Sequence, residues 1–417
     1  MTESLVASSQ VSRKPSMRAL LKQADFRTLW MAQTVSWSGD HFTFLALMIV
    51  INQISGSASA IATMMLIMTI PRLLFGMAAG VFVDRWNRQR LMVVSDLTRC
   101  LLSLGLIVAA TQERLWLLYP LAFLMSSVGV FFVPARSAVM KTIVPADDLL
   151  QANILMQTTY TITLVLGPAL AGLTIGMFGT TPAFALDAVT FLVSASLVVT
   201  MSIPHLVRNR TVQGRAMAFW GEFAEGLAFV ATSRTVIGLL IVLTVLSLGL
   251  GAVNALFVPL LMNILHVGAA ELGIADSAQG LGMVAGGLLA AVIAARLRYN
   301  VIIGGGLILA SFIIIAIGLA PTYTVVLLLL LVVGLVITPI EAAIPALMQR
   351  CVPLETMGRV GGMMNTSQSV ATLLSMGVAA ALADAVGPRL IFVGAGVIGV
   401  LAGILGILTL TDESHAE

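Results

Sequence analysis

An all-α polytopic membrane protein, with twelve transmembrane helices arranged as two six-helix pseudo-repeats, is the fold class this sequence predicts. Three observations carry that expectation. The 417 residues are 59% hydrophobic and 10% charged, whereas a soluble domain carries about a quarter charged residues. Apolar runs of about 20 residues recur between short polar breaks, as a hydrocarbon core of roughly 30 Å requires of spanning helices whose backbone groups find no water. One polar break, near the middle, is much longer than the others, and a motif recurs on either side of it.

The predicted spans are 28–53, 58–83, 91–111, 115–140, 152–177 and 182–203, then 236–264, 272–295, 300–319, 323–348, 360–385 and 387–410. They divide the chain into an N-terminal tail (1–27), a six-helix bundle (28–203), a central loop (204–235), a second bundle (236–410) and a short tail (411–417). The first tail carries Arg13, Lys14, Arg18 and Lys22 but no short apolar core of its own, so a cytoplasmic tail is expected there and not a cleaved signal peptide. An even number of spans places both ends on one side. Of the 22 Lys and Arg, all but Arg72, Arg99, Arg114 and Arg389 fall in the tails, in the loops on that same side or beside them. The positive-inside rule then predicts that both termini are cytoplasmic, in a multi-pass inner-membrane protein. Within the central loop, Phe219, Phe223 and Leu227 recur at helical spacing, which fits an amphipathic helix on the inner leaflet and equally a solvated linker. The pseudo-repeat is visible where Ala138–Asp147 aligns with Ala346–Glu355, half the chain apart, matching at Ala, Met, Val, Pro and an acidic residue.

Several classes of chemistry find no support. Cys100 and Cys351 form no metal or disulfide pattern, and His41, His205, His266 and His415 show no ligand spacing, so no metal and no cofactor are expected. Scattered basic residues disfavour nucleic-acid binding. No Gly-Lys-Ser/Thr phosphate loop points to ATP, and no Asp dyad or Ser-His arrangement points to catalysis. The expected partners are a small-molecule substrate, protons and the lipid bilayer, with a monomer as the expected state.

Charged residues inside spans are costly, ~2.5 to 3.5 kcal/mol at mid-membrane on insertion scales, so each demands a partner or a water-lined cavity. Asp40 in the first span and Arg72 in the second lie at matched depth, roughly 18 Å from the near end, which predicts a buried pair that a proton on Asp40 would break. Glu341, between Pro339 and Pro345, predicts an interrupted helix lining a cavity. Asp187, the remaining candidate for the proton or substrate cavity, falls near the outer end of its span with water in reach, where a structural or boundary role is expected ahead of a proton site. Asp96 and Arg99 are one turn apart, and are expected to pair with each other or with Arg136 and the Asp84 loop as part of a conformational latch.

That loop, Gly80-Val81-Phe82-Val83-Asp84-Arg85-Trp86-Asn87-Arg88-Gln89-Arg90, carries a Gly-x-x-x-Asp-Arg-x-x-Arg-x-Arg pattern at Gly80, Asp84, Arg85, Arg88 and Arg90. With twelve spans and a long central loop, it resembles the signature of the major facilitator superfamily. A second element, Gly167-Pro168-Ala169-Leu170-Ala171-Gly172, is similar to the Gly-Pro-x-x-x-Gly motif of exporters in that superfamily. Gly167 and Gly172 permit close helix approach and Pro168 frees a carbonyl. Further segments, Asp25–Trp30, Gly39-Asp40, Pro134-Ala135-Arg136, Val144-Pro145 and Ala152-Asn153, resemble the macrolide-efflux and siderophore-exporter branch. The loop after the eighth span, Arg296-Leu297-Arg298, departs from the pattern in lacking an Asp-Arg pair. The resemblance implies a secondary active transporter that exports a small hydrophobic or amphipathic compound by proton antiport and alternating access, with the charged loop as a cytoplasmic latch. A lipid or siderophore translocator of the same fold is the nearest alternative. A non-transporting membrane scaffold or sensor is the alternative from another class.

Overall fold

The computed structural model describes residues 17–203 and 233–410. The central-loop residues for which an amphipathic helix was weighed lie outside the described residues. After a short helix, Met17–Lys22, come twelve long ones: α1 (Ala24–Ser55), α2 (Ala58–Arg85), α3 (Arg88–Thr111), α4 (Leu115–Ile143), α5 (Leu149–Phe178), α6 (Thr180–Val199), α7 (Arg234–Pro259), α8 (Ala269–Arg296), α9 (Gly306–Leu319), α10 (Tyr323–Cys351), α11 (Leu354–Val386) and α12 (Pro388–Thr409). With the adjoining turns, twelve segments are long and apolar enough to cross a membrane. The face at which α1 begins and α12 ends is called the near face below, and the opposite one the far face.

Local chemistry sets the helix ends. Gly56 takes a left-handed conformation (φ +60°) and stops α1. The Ser57 hydroxyl then caps α2 by accepting from the Ala60 amide at 3.1 Å, and Asn87 caps α3 by accepting from the Arg90 amide at 3.0 Å. The pseudo-repeat extends to backbone detail. After α4 and after α10 a valine amide, Val144 or Val352, donates to the methionine carbonyl four residues back, Met140 or Met348, at 3.0 Å in each case. Pro145 and Pro353 follow with ψ of 147° in both. Gly179 and Gly387, each at φ +84°, make the equivalent tight turns into α6 and α12.

Apolar packing divides the molecule by depth. Near the near face each half has a separate core: Phe26, Met92, Phe132, Val139 and Met156 among others in the N-terminal half, and Leu239, Ile303, Ile340, Leu347 and Met363 in the C-terminal half. Toward the far face a single cluster spans both halves, joining Leu45, Leu47 and Met48 of α1 to Leu256 and Leu261 around the end of α7 and Met376 of α11. Hydrogen bonds join the halves on the same side. Ser57 Oγ donates to Asp384 at 2.7 Å, the Ser59 amide to the same carboxylate at 3.2 Å, and the Ala169 amide to Ser277 Oγ at 3.0 Å.

Glycine seams let the helices approach this closely, since packing in a bilayer relies on shape and small residues instead of hydrophobic expulsion. A methyl group at Gly273 of α8 would strike the Pro168 carbonyl of α5, and one at Gly172 the Ala269 carbonyl. Gly167 faces the His41 ring of α1 instead. The Gly-Pro-x-x-x-Gly element therefore lies between the halves.

Helix α10 runs unbroken through Pro339 and Pro345, correcting the interrupted helix expected around Glu341. Pro339 removes the amide that would bind the Leu335 carbonyl, and that carbonyl instead lies against Gly286 of α8. Thr338 Oγ donates to the Met283 carbonyl at 3.0 Å, so the neighbouring helix supports the stretch.

Replacing Gly273 by Leu is expected to push α5 off α8 and lower stability by ~1–3 kcal/mol, the usual scale of overpacking, seen as a lower thermal unfolding midpoint. Gly362→Leu, where a side chain meets open space, should leave the midpoint unchanged or raise it.

Candidate transport cavity and its charged network

A cavity of about 1060 Å³ opens in the N-terminal half, lined from α1 to α5. On α1, Gln33, Trp37 and Asp40 recur at helical spacing and so present one polar stripe to it. Arg72, Gly76 and Gly80 of α2, Arg99 of α3, Phe132 and Arg136 of α4, and Tyr160 of α5 complete much of the wall. Trp37 and Tyr160 meet edge to face at 5.3 Å between centroids. The shared apolar cluster beyond Phe44 seals the cavity toward the far face.

Arg99 is the centre of the electrostatics. Its Nη2 donates to Asp96 Oδ1 at 2.5 Å, and its Nη1 lies 3.7 Å from Asp40 Oδ1. Asp96, fully buried, also accepts from Ser194 Oγ of α6 at 2.7 Å. The guanidinium is held between two aromatic faces, 4.3 Å from the Phe191 centroid and 4.8 Å from that of Phe132, where cation–π attraction offsets part of its desolvation. The Asp40 side chain is 47% exposed, so it is the member of the cluster that water and solutes reach.

The expected Asp40–Arg72 pair does not form. Asp40 turns to Arg99, because α3 supplies a guanidinium on the inner side of α1, while Arg72 stands exposed in the cavity. Asp96 and Arg99 do pair with each other, inside the bundle, with Arg99 at the cavity wall. Arg136 likewise lines the cavity, donating to Gln33 Oε1 at 3.0 Å and lying over Trp37. Asp187 is no boundary residue: it is wholly buried, accepts from Thr43 Oγ at 2.5 Å, and sits against Gly39. A methyl group at Gly39 would strike Thr190 and Asp187, so this glycine admits the Asp187 carboxylate beside the residue that precedes Asp40. Glu341 is exposed on α10 and is not among the cavity-lining residues. Of the charged loop, Gly80 reaches the cavity, Asp84 and Arg85 end α2, and Arg88 and Arg90 open α3 behind the Asn87 cap.

Sequence reasoning passed over Gln33, Trp37, His41, Tyr160 and Ser194, and also Asp276, an acid on α8 beside the Ser277 that bonds across the halves. For Gln33 and Trp37 a signal existed, since with Asp40 they form an i, i+4, i+7 stripe in the first span.

Two six-helix bundles related by a repeat, closed together at one face and holding a charged cavity, form the major facilitator transporter fold. A solved structure of a bacterial homologue of the iron transporter ferroportin in an inward-facing state superposes with a TM-score of 0.74 at 15% identity, over 95% of this chain and all (100%) of that one. Residues 16–411 match the family described as transmembrane secretion effector, and the chain belongs to that family. Macrolide efflux protein A of Streptococcus pyogenes is 25% identical over 366 residues, covering 87% of this chain and 90% of that protein. An MFS-type transporter of Bacillus subtilis, YfiS, is 26% identical over 420 residues, covering 97% and 96%.

Arg99→Met should strand Asp96 in the bundle and cost about 3–5 kcal/mol, as does breaking a buried pair from one side. Arg99→Met combined with Asp96→Asn should recover part of that loss, and thermal unfolding of the single and double variants measures the coupling.

Proposed function

We propose that this transporter exports a small hydrophobic or amphipathic compound in exchange for protons, by alternating access, with both termini in the cytoplasm. The observation that carries it is Asp40: an exposed carboxylate in a large cavity sealed at the far face, sharing one guanidinium with a buried acid. Proton binding at Asp40 leaves Arg99 still neutralised by Asp96, so Asp40 can exchange its charge without stranding another. A substrate group that needs the ionised Asp40 competes with that proton, which is the thermodynamic requirement of antiport. Asp187, close by, is a third acid of the same region. Both bundles then rock about the glycine seam between α5 and α8, and the separate near-face cores are what permits them to part there. Placing the near face in the cytoplasm is supported by the basic residues crowded around it. Export of an amphipathic compound is supported by the similarity to a macrolide efflux protein. In the same scheme the Gly80–Arg90 loop latches the near-face ends when they close.

The test is flux of a macrolide and of amphipathic dyes in proteoliposomes, with and without an imposed pH gradient. Gradient-accelerated flux is expected for the native protein. Asp40→Asn should abolish the acceleration and weaken substrate–substrate exchange, since it removes the ionised group the substrate needs, and the residual exchange should no longer depend on pH. If the variant stays fully proton-coupled, Asp40 is not the coupling site, and if no compound in a broad panel responds to the gradient, a scaffold or sensor is the better description.

A further inference from the structure

The geometry points to an anion subsite at the near end of the cavity, built by Gln33 and Arg136, and to a zwitterionic amphiphile as the substrate class, with its anionic group held there and its ammonium at Asp40. This assignment rests on the cavity being the transport path, as proposed above.

Donor and acceptor accounting leads to it. Gln33 is 1% exposed yet lines the cavity. Its Oε1 accepts from Arg136 Nη1 at 3.0 Å, which orients the amide, because a guanidinium has nothing to accept with. The other end of that amide, Nε2, is a buried donor with no partner. A buried unsatisfied donor costs about 1–3 kcal/mol, and such groups call for an acceptor from outside the fold. Arg136 lies over the Trp37 ring, and among the described residues no carboxylate pairs with it. Arg72 is exposed in the same cavity and is likewise without an ion-pair partner there.

The charge balance agrees. Arg99 is neutralised by Asp96, which leaves Arg72 and Arg136 facing Asp40 alone. A purely cationic amphiphile would meet two unpaired guanidinium groups. A carboxylate or phosphate matches their fork geometry and also accepts from Gln33. Asp40 lies seven residues beyond Gln33 on α1, roughly 10 Å along the axis, with Trp37 between them and Tyr160 packed on Trp37. One end therefore suits an anion, the other an ammonium, and the wall between suits an apolar body. Competition of the ammonium with a proton at Asp40 is also the arrangement that antiport requires.

The experiment measures binding to the full-length protein in nanodiscs, with no pH gradient. The probes are phenylalanyl-phenylalanine, its C-terminal amide, its N-acetyl derivative, and dihexanoyl phosphatidylethanolamine as the lipid form of the same charge pattern. The free dipeptide or the short lipid is expected to bind native protein at least about 10-fold more tightly than the amide, a difference of about 1.4 kcal/mol, and the one that binds identifies the source of the zwitterion. Gln33→Leu and Arg136→Gln should erase that preference by weakening the free acid far more than the amide. Arg136→Lys should keep part of it, and Arg72→Gln, made at an exposed position deeper in the cavity, should leave the preference in place. Unfolding midpoints without ligand show that each variant is intact. The proposal is overturned if the amide binds native protein as tightly as the free acid, if neither zwitterion binds, or if the preference survives in both Gln33→Leu and Arg136→Gln. Gradient-driven flux of a macrolide with no such preference would reject the subsite and leave the transport proposal standing. Preference without any gradient-driven flux would do the reverse.

Discussion

A guanidinium placed among apolar helices has to be neutralised where it stands, and Arg99 draws for this on four of the six N-terminal helices, its Nε alone left buried without a hydrogen-bond partner. Asp40 comes from α1, Asp96 from α3 itself, Phe132 from α4, and Phe191 and Ser194 from α6. Each partner fixes the rotation of its helix about its own axis, since turning α1 or α6 by one residue would carry Asp40 or Ser194 away from the cluster. The polar stripe of α1 is thereby aimed into the cavity, and with it Gln33 and Trp37. The position of the cavity, its charge and its exposed acid follow from how this one cation is satisfied.

A second constraint acts between the halves. Each half-molecule keeps an apolar core of its own near the near face, whereas toward the far face one core serves both. The far-face contact depends on backbone-to-backbone approach at Gly172 and Gly273, with Asp384 reaching across to the start of α2. Such contacts are close and lie toward the far-face ends of the helices, which suits surfaces that must separate and re-form. The two halves share their turns and caps, down to the valine amides after α4 and α10, yet differ in chemistry: the buried Asp96–Arg99 pair, with the exposed Asp40 beside it, belongs to the N-terminal half.

How much of this was legible differed from residue to residue. The twelve spans and the repeat at Pro145 and Pro353 could be read because hydrophobic run length and loop chemistry are local properties of the chain. Asp40 stood out because a carboxylate in an apolar run must have a reason. Its partner could not be read, because Arg72 and Arg99 lie at similar depth on different helices and only the packing shows which faces α1. Asp187 seemed accessible by residue count, but the lack of a side chain at Gly39 let α1 close over it. The prolines flanking Glu341 suggested a break that tertiary contacts with α8 removed.

The linear sequence by itself determined the class of fold, the number and order of the helices, the internal repeat and the candidate charges, because a bilayer penalises every unpaired polar group and so writes its demands into composition and run length. Tertiary structure alone decided which charges meet, which acid faces water and which donors are left without acceptors. Those outcomes depend on the azimuth and separation of helices distant in the chain, set by glycines that permit contact and by one arginine that requires it.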